Sequence, residues 1–157
     1  MGLPGRHDRL VVTDMADIEK LLCLIHDEFF DIDDVSLDAT QSTLDVPFKR
    51  CWHGEHGRVV KKNWWRTVVE VPVLHCVFRI GNVSEYELVD THRMGNNSFN
   101  TIDYDDQLKQ VTVNTNIPAK FNAKVSQLHL EYFELDFKGL AHISHGWFWE
   151  GGPRFVE

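Results

Sequence analysis

At 157 residues, 43% hydrophobic and 25% charged, the chain has the size and composition of one globular domain with its own core, which excludes wholesale disorder. Sixteen Lys and Arg against twenty-four Asp and Glu give a net charge of -8, which repels phosphate backbones and anionic membranes, so neither nucleic acid nor membrane is expected as a partner. The three cysteines, Cys23, Cys51 and Cys76, are an odd number set in helix- and strand-like surroundings, which argues against a disulfide framework and for a cytoplasmic protein of bacterial type.

Residues 1–12 contain no apolar run of signal-peptide length and are expected to be loose, as are residues 151–157. From Asp14 to about Glu28, Met15, Ile18, Leu21, Leu22 and Ile25 recur at three- and four-residue spacing, with Asp17, Glu19, Lys20 and Asp27 between them. That spacing predicts one amphipathic helix, capped by Thr13 or Asp14 and favoured by the negative charge of Asp17 in its first turn. The helical period does not return. Val35 and Leu37, then Leu44, Val46 and Phe48, alternate around a polar turn at 39–42, predicting a β-hairpin. A polar and aromatic insert, 51–66, reads as a loop.

Val69, Val71 and Val73 alternate on one parity and Leu74, Cys76, Phe78 and Ile80 on the other, so a bulge near Pro72 is expected. Tyr86 to Val89, Ile102 and Tyr104, Val111 and Val113, Phe121 to Val125, Leu128 to Phe137 and Ala141 to Trp149 complete the predicted strands. The fold class is therefore α+β and predominantly β: a single domain with one N-terminal helix packed on antiparallel sheet. Two hairpins match at a constant offset. Val35, Leu37, Asp38, Leu44 and Val46 correspond to Ile102, Tyr104, Asp105, Val111 and Val113, and Glu85 to Leu88 resembles Tyr132 to Leu135. Any two hairpins share alternation and a polar turn, so two similar hairpin units are an expectation that register has to test.

Within the insert, Cys51, His53, Glu55 and His56 place a thiol, two imidazoles and a carboxylate within six residues, the ligand types that zinc takes. No second Cys or His pair has finger or HExxH spacing, so no cofactor is expected and a zinc site at Cys51, His53 and His56 is the alternative. His142 and His145 are three apart and would point to opposite faces of a strand. His26-Asp27 reads as a helix-end pair, and Cys23 and Cys76 as core positions without an activating base. No GxSxG elbow, GxGxxG or phosphate loop occurs. The remaining anomaly is aromatic: Trp64, Trp65, Trp147 and Trp149 are the candidate binding residues, for a protein or sugar contact if exposed together.

The order Leu24-Ile25-His26-Asp27, then Ile32-x-x-Val35-x-Leu37-Asp38, then a strand ending Phe78-Arg79-Ile80-Gly81-Asn82-Val83 resembles small bacterial β-rich proteins of uncharacterised or immunity type. The resemblance covers about residues 24–137, and the tryptophan-rich insert departs from it. It implies binding, in some cases neutralising a toxin, and assigns no residue. The functional expectation is a non-enzymatic interaction domain whose acidic surface meets a basic protein. A homodimer and a metal-binding protein or metal-dependent enzyme using Cys51, His53 and His56 are the alternatives.

Overall fold

The computed structural model describes residues 9–51, 58–90, 96–116, 119–146 and 154–156. In chain order the elements are β1 (Arg9–Val12), α1 (Ile18–Ile25), β2 (Phe29–Asp31), β3 (Ser36–Asp38), β4 (Thr43–Cys51), β5 (Arg58–Lys62) and β6 (Thr67–Ile80). There follow β7 (Val83–Asp90), β8 (Asn96–Asp105), β9 (Gln110–Thr115), β10 (Ala119–Val125), β11 (Leu130–His145) and β12 (Arg154–Val156). One short helix against antiparallel sheets is the α+β, mostly β architecture that the periodicity predicts. Among the described residues, no helix is long and apolar enough to cross a membrane.

The helix is shorter than its apolar spacing suggests. Asp14 caps a 3-10 turn at Met15–Asp17, its carboxylate accepting the Ala16 amide at 2.9 Å, and α1 ends where His26 turns extended and Asp27 takes a φ of 64°. Leu21, Leu24 and Ile25 enter the core, whereas Cys23, read as core-facing, is exposed. The expected loose ends are paired within the described residues: β1 lies along β11 at Arg9↔Phe133 to Val12↔Leu130, and β12 pairs with β11 at Leu140↔Val156. The insert, read as a loop, contains strand β5.

The first sheet runs β1-β11-β6-β4-β3, with β12 on β11 and β5 on β6, and the second runs β2-β8-β9-β10-β7. They meet face to face. Phe48 and Phe78 of the first sheet reach Phe99 of the second at ring-centroid distances of 5.3 and 5.8 Å, and Phe30 stacks on Phe99 at 4.5 Å. Alternation decides which side chains reach this layer: on β9, Val111, Val113 and Thr115 are buried while Gln110, Thr112 and Asn114 stay at the surface.

The two hairpins share one register. Leu37 faces Leu44 and Asp38 faces Thr43, and at an offset of 67 Tyr104 faces Val111 and Asp105 faces Gln110. The turns match atom by atom. Asp38 Oδ1 accepts the amides of Thr40 and Gln41 at 2.9 and 3.2 Å, Asp105 Oδ1 accepts those of Gln107 and Leu108 at 2.9 and 3.0 Å, and Ser42 and Lys109 have φ of 57° and 50°. Strand order follows the same equivalence. β3-β4-β6-β11 in one sheet corresponds to β8-β9-β10-β7 in the other, so the fourth strand of each half crosses to pair with the third strand of the other half. Ordinary hairpin chemistry does not require this exchange. Gly81 lies at one crossing, its amide bonded to the His129 carbonyl at 2.8 Å, where a Cβ would meet the His129 ring at 3.0 Å. If the turns are equivalent, Asp38→Ala and Asp105→Ala should each cost about 1 kcal/mol in urea unfolding, since each strands two turn amides.

Both prolines of the long strands sit where a ladder bond is not needed. β4 pairs with β6 as far as Cys51↔Val73, and β5 resumes at Arg58↔Glu70, so Pro72 falls between two partners. Pro47 lies past the end of β3, where no further strand pairs with that side of β4 among the described residues. The predicted irregularity near Pro72 is present but on the other strand. Glu134, Phe137 and Leu140 of β11 face Cys76, Leu74 and Pro72, so the extra residues belong to β11.

Candidate functional site

What breaks the correspondence of the two halves is the insert and the strands that support it. β6 and β11 extend beyond the sandwich and pair with each other from Pro72↔Leu140 to Thr67↔His145, with β5 along the far side of β6. Their counterparts β10 and β7 have 7 and 8 residues, against 14 and 16 for β6 and β11. This arm therefore has no counterpart in the second sheet among the described residues. It has a small apolar cluster of its own, Val69, Val71 and Val73, and a cross-strand polar row. Arg58 donates to Glu70 Oε1 at 2.9 Å, and His142 Nε2 lies 3.0 Å from Glu70 Oε2. The His142 hydrogen bond is the main cause holding the Glu70 carboxyl below its ordinary range, with Arg58 adding to it.

At the tip, the Asn63 amide bonds to the Arg66 carbonyl at 2.7 Å, so the chain reverses at Trp64-Trp65. Turns favour Gly, Asn or Asp at such positions, so two indoles there are an unusual choice of residue type. Trp64 is 79% exposed and Trp65 47%, and Val59 and Val60 are exposed beside them at 57% and 41%. The Arg66 guanidinium lies over the Trp65 ring, 5.3 Å from its centroid.

A second polar concentration lies inside the sandwich. The inward side of β4 runs Leu44, Val46, Phe48 and then Arg50, and that of β11 runs Leu130, Tyr132 and then Glu134; Cys76 of β6 lies between them. Tyr132 donates to Glu134 Oε1 at 2.9 Å, its oxygen is 3.4 Å from Cys76 Sγ, and Arg50 reaches it at 3.5 Å. Glu28 faces Arg50 from the turn after α1. Burial pushes its carboxyl up to about 7, Asp27 adding to the rise and Arg50 opposing it. Burial likewise pushes the Cys76 thiol up to about 11 and the Tyr132 phenol upward. Thiol and phenol are therefore held protonated, which suits a structural network and not a nucleophile. The sequence signal for this cluster was a charged residue at the next inward position of an apolar alternation.

His26-Asp27 has a structural task. Asp27 accepts from Asn116 at 2.8 Å, Asn116 also donates to Ser98 at 2.8 Å, and His26 Nδ1 is 3.2 Å from Asp27. An open depression of about 630 Å³ on the outer face of the second sheet is lined by Asp103, Asp105 and Asp106. Its carboxylates are already engaged: Asp103 by Asn114, Asp105 by its turn amides and Asp106 by Lys109 at 2.7 Å.

Of the metal candidates, Cys51 closes β4 opposite Val73, while His53 and His56 lie outside the described residues. Among the described residues no group of three or more His, Cys, Asp or Glu is arranged to hold a metal ion. Of the aromatic candidates, Trp64 and Trp65 stand together at the hairpin tip; Trp147 and Trp149 lie outside the described residues. His142 and His145 both fall on β11. The class this architecture defines is a two-layer antiparallel β-sandwich with one helix at its side. No family model, curated protein or solved structure matches the chain.

Proposed function

We propose that the chain is a non-enzymatic interaction domain that docks a protein partner through the β5–β6 hairpin. The observation that carries this reading is the pair of adjacent exposed tryptophans, Trp64 and Trp65, on an arm that extends only the first of the two sheets. Leaving so much indole in water opposes solubility, and tryptophan is the residue type most enriched among binding hot spots. The Arg58–Glu70–His142 row and the Val69–Val71–Val73 cluster stiffen the arm, which lowers the ordering cost of docking. Binding that blocks the partner, the immunity-like role that the resemblance implies, is the finer form of this proposal.

The test is recovery of a tagged chain from its native host, beside a Trp64→Ala/Trp65→Ala variant whose far-UV circular dichroism matches the parent. A partner recovered with the parent should fall at least about tenfold with the variant, as two lost hot-spot side chains require. Equal recovery with both, or recovery of the chain alone at every salt concentration, rejects docking by this hairpin.

A further inference from the structure

We infer that the hairpin engages an acidic face of its protein partner, an apolar pocket rimmed by carboxylates that receives Trp64 and Trp65; this rests on the docking role proposed above. The hairpin, residues 58–70, holds four cations, Arg58, Lys61, Lys62 and Arg66, against one carboxylate, Glu70. Removing these from the totals leaves twelve basic residues against twenty-three acidic ones, so a body of net charge -11 carries a hairpin of +3. Arg58 is held by Glu70 and Arg66 covers Trp65, but Lys61 and Lys62 are exposed and enter no ion pair among the described residues. Their charge is available to a partner at the rim of the aromatic tip.

Other occupants fit less well. A second copy pairing antiparallel along β5 about Val60 would set Arg58 opposite Lys62, cation against cation. Strand addition in general meets a bulge, because Val59 faces Val69 and Lys61 faces Val68, leaving Val60 as the extra residue. The contact is therefore made by side chains and not by a continued ladder. An extended anion, whether a lipid surface or a nucleic acid, would face the body of -11 as well as the hairpin. A compact acidic pocket meets only what lies within a screening length of about 8 Å, and there the hairpin's own charge prevails.

The experiment titrates the full chain calorimetrically with three short peptides in which Leu alternates with Glu, Gln or Lys, with phosphatidylserine vesicles and with oligo-dT. The Glu–Leu peptide should bind about tenfold or more tightly than the Gln–Leu peptide and weaken several-fold between about 50 and about 300 mM salt. Lys61→Glu/Lys62→Glu should transfer the preference to the Lys–Leu peptide. No binding of Glu–Leu, equal binding of Gln–Leu, an unaltered preference in the charge-reversed variant, or tighter binding of vesicles or oligo-dT overturns the inference. In recovery from the host, a partner lost with the tryptophan variant but kept with the charge-reversed one also overturns it while docking stands. A partner kept by both rejects docking itself.

Discussion

Phe99→Ala is expected to cost about 3–5 kcal/mol, a large part of the 5–15 kcal/mol that holds a typical domain folded. Phe99 is 1% exposed and is the ring through which the two sheets meet, touching Phe30, Phe48 and Phe78 at 4.5, 5.3 and 5.8 Å. Three rings surrounding it from both layers cannot all collapse into the space it leaves, so the cavity penalty adds to the lost burial. Its backbone has a second role: the Phe99 carbonyl takes the Asp27 amide at 2.9 Å and its amide gives to the Glu28 carbonyl at 3.1 Å. Alanine keeps those bonds, so the whole effect is attributable to the ring. Guanidinium unfolding measures it, and a loss under about 1 kcal/mol would mean that the neighbouring rings refill the site.

Glu28→Gln should flatten the dependence of stability on pH. The folded protein holds the Glu28 proton to about pH 7, while the ordinary value for the group is 4.5, so the folded state binds the proton more tightly than the unfolded chain. Its contribution is fully present below 4.5 and is lost as pH rises through 7. Glutamine has no charge to desolvate. The variant should therefore match the parent near pH 4 and exceed it by about 2 kcal/mol at pH 8, the size of the shift discounted for the part of the carboxyl that solvent reaches. Urea midpoints at the two pH values decide the matter, and parallel pH profiles for parent and variant would show that Glu28 ionises freely in the fold. Arg50→Met should steepen the parent's loss above neutrality, because Arg50 is the charge that opposes the rise.

Local chemistry explains which parts of this architecture were legible along the chain. The three- and four-residue spacing of Ile18, Leu21, Leu22 and Ile25 reports a helix wherever it lies, and alternation around Asp38 and Asp105 reports hairpins, because both patterns arise from backbone geometry within a few residues. Strand β5 was not legible: all five of its residues are exposed, so no alternation marks it, and pairing with β6 alone makes it a strand. Paired ends tell the same story, since Arg9–Val12 is ordered by a partner more than a hundred residues away.

For the candidate site, Trp64 and Trp65 were visible as anomalous residue types, whereas their joint exposure needed the turn between Asn63 and Arg66. The Glu28, Arg50, Cys76, Tyr132 and Glu134 cluster gathers residues from four separate segments, and no spacing encodes it. Composition, charge, the helix, the hairpins and the 67-residue correspondence were determined by the sequence itself, through interactions that act over one turn or one strand. The exchange of fourth strands between sheets, the extension of β6 and β11 into an arm, and the presentation of a cationic, tryptophan-tipped hairpin by an acidic body were decided only by tertiary structure. Non-local pairing chooses among partners that local patterns leave equivalent.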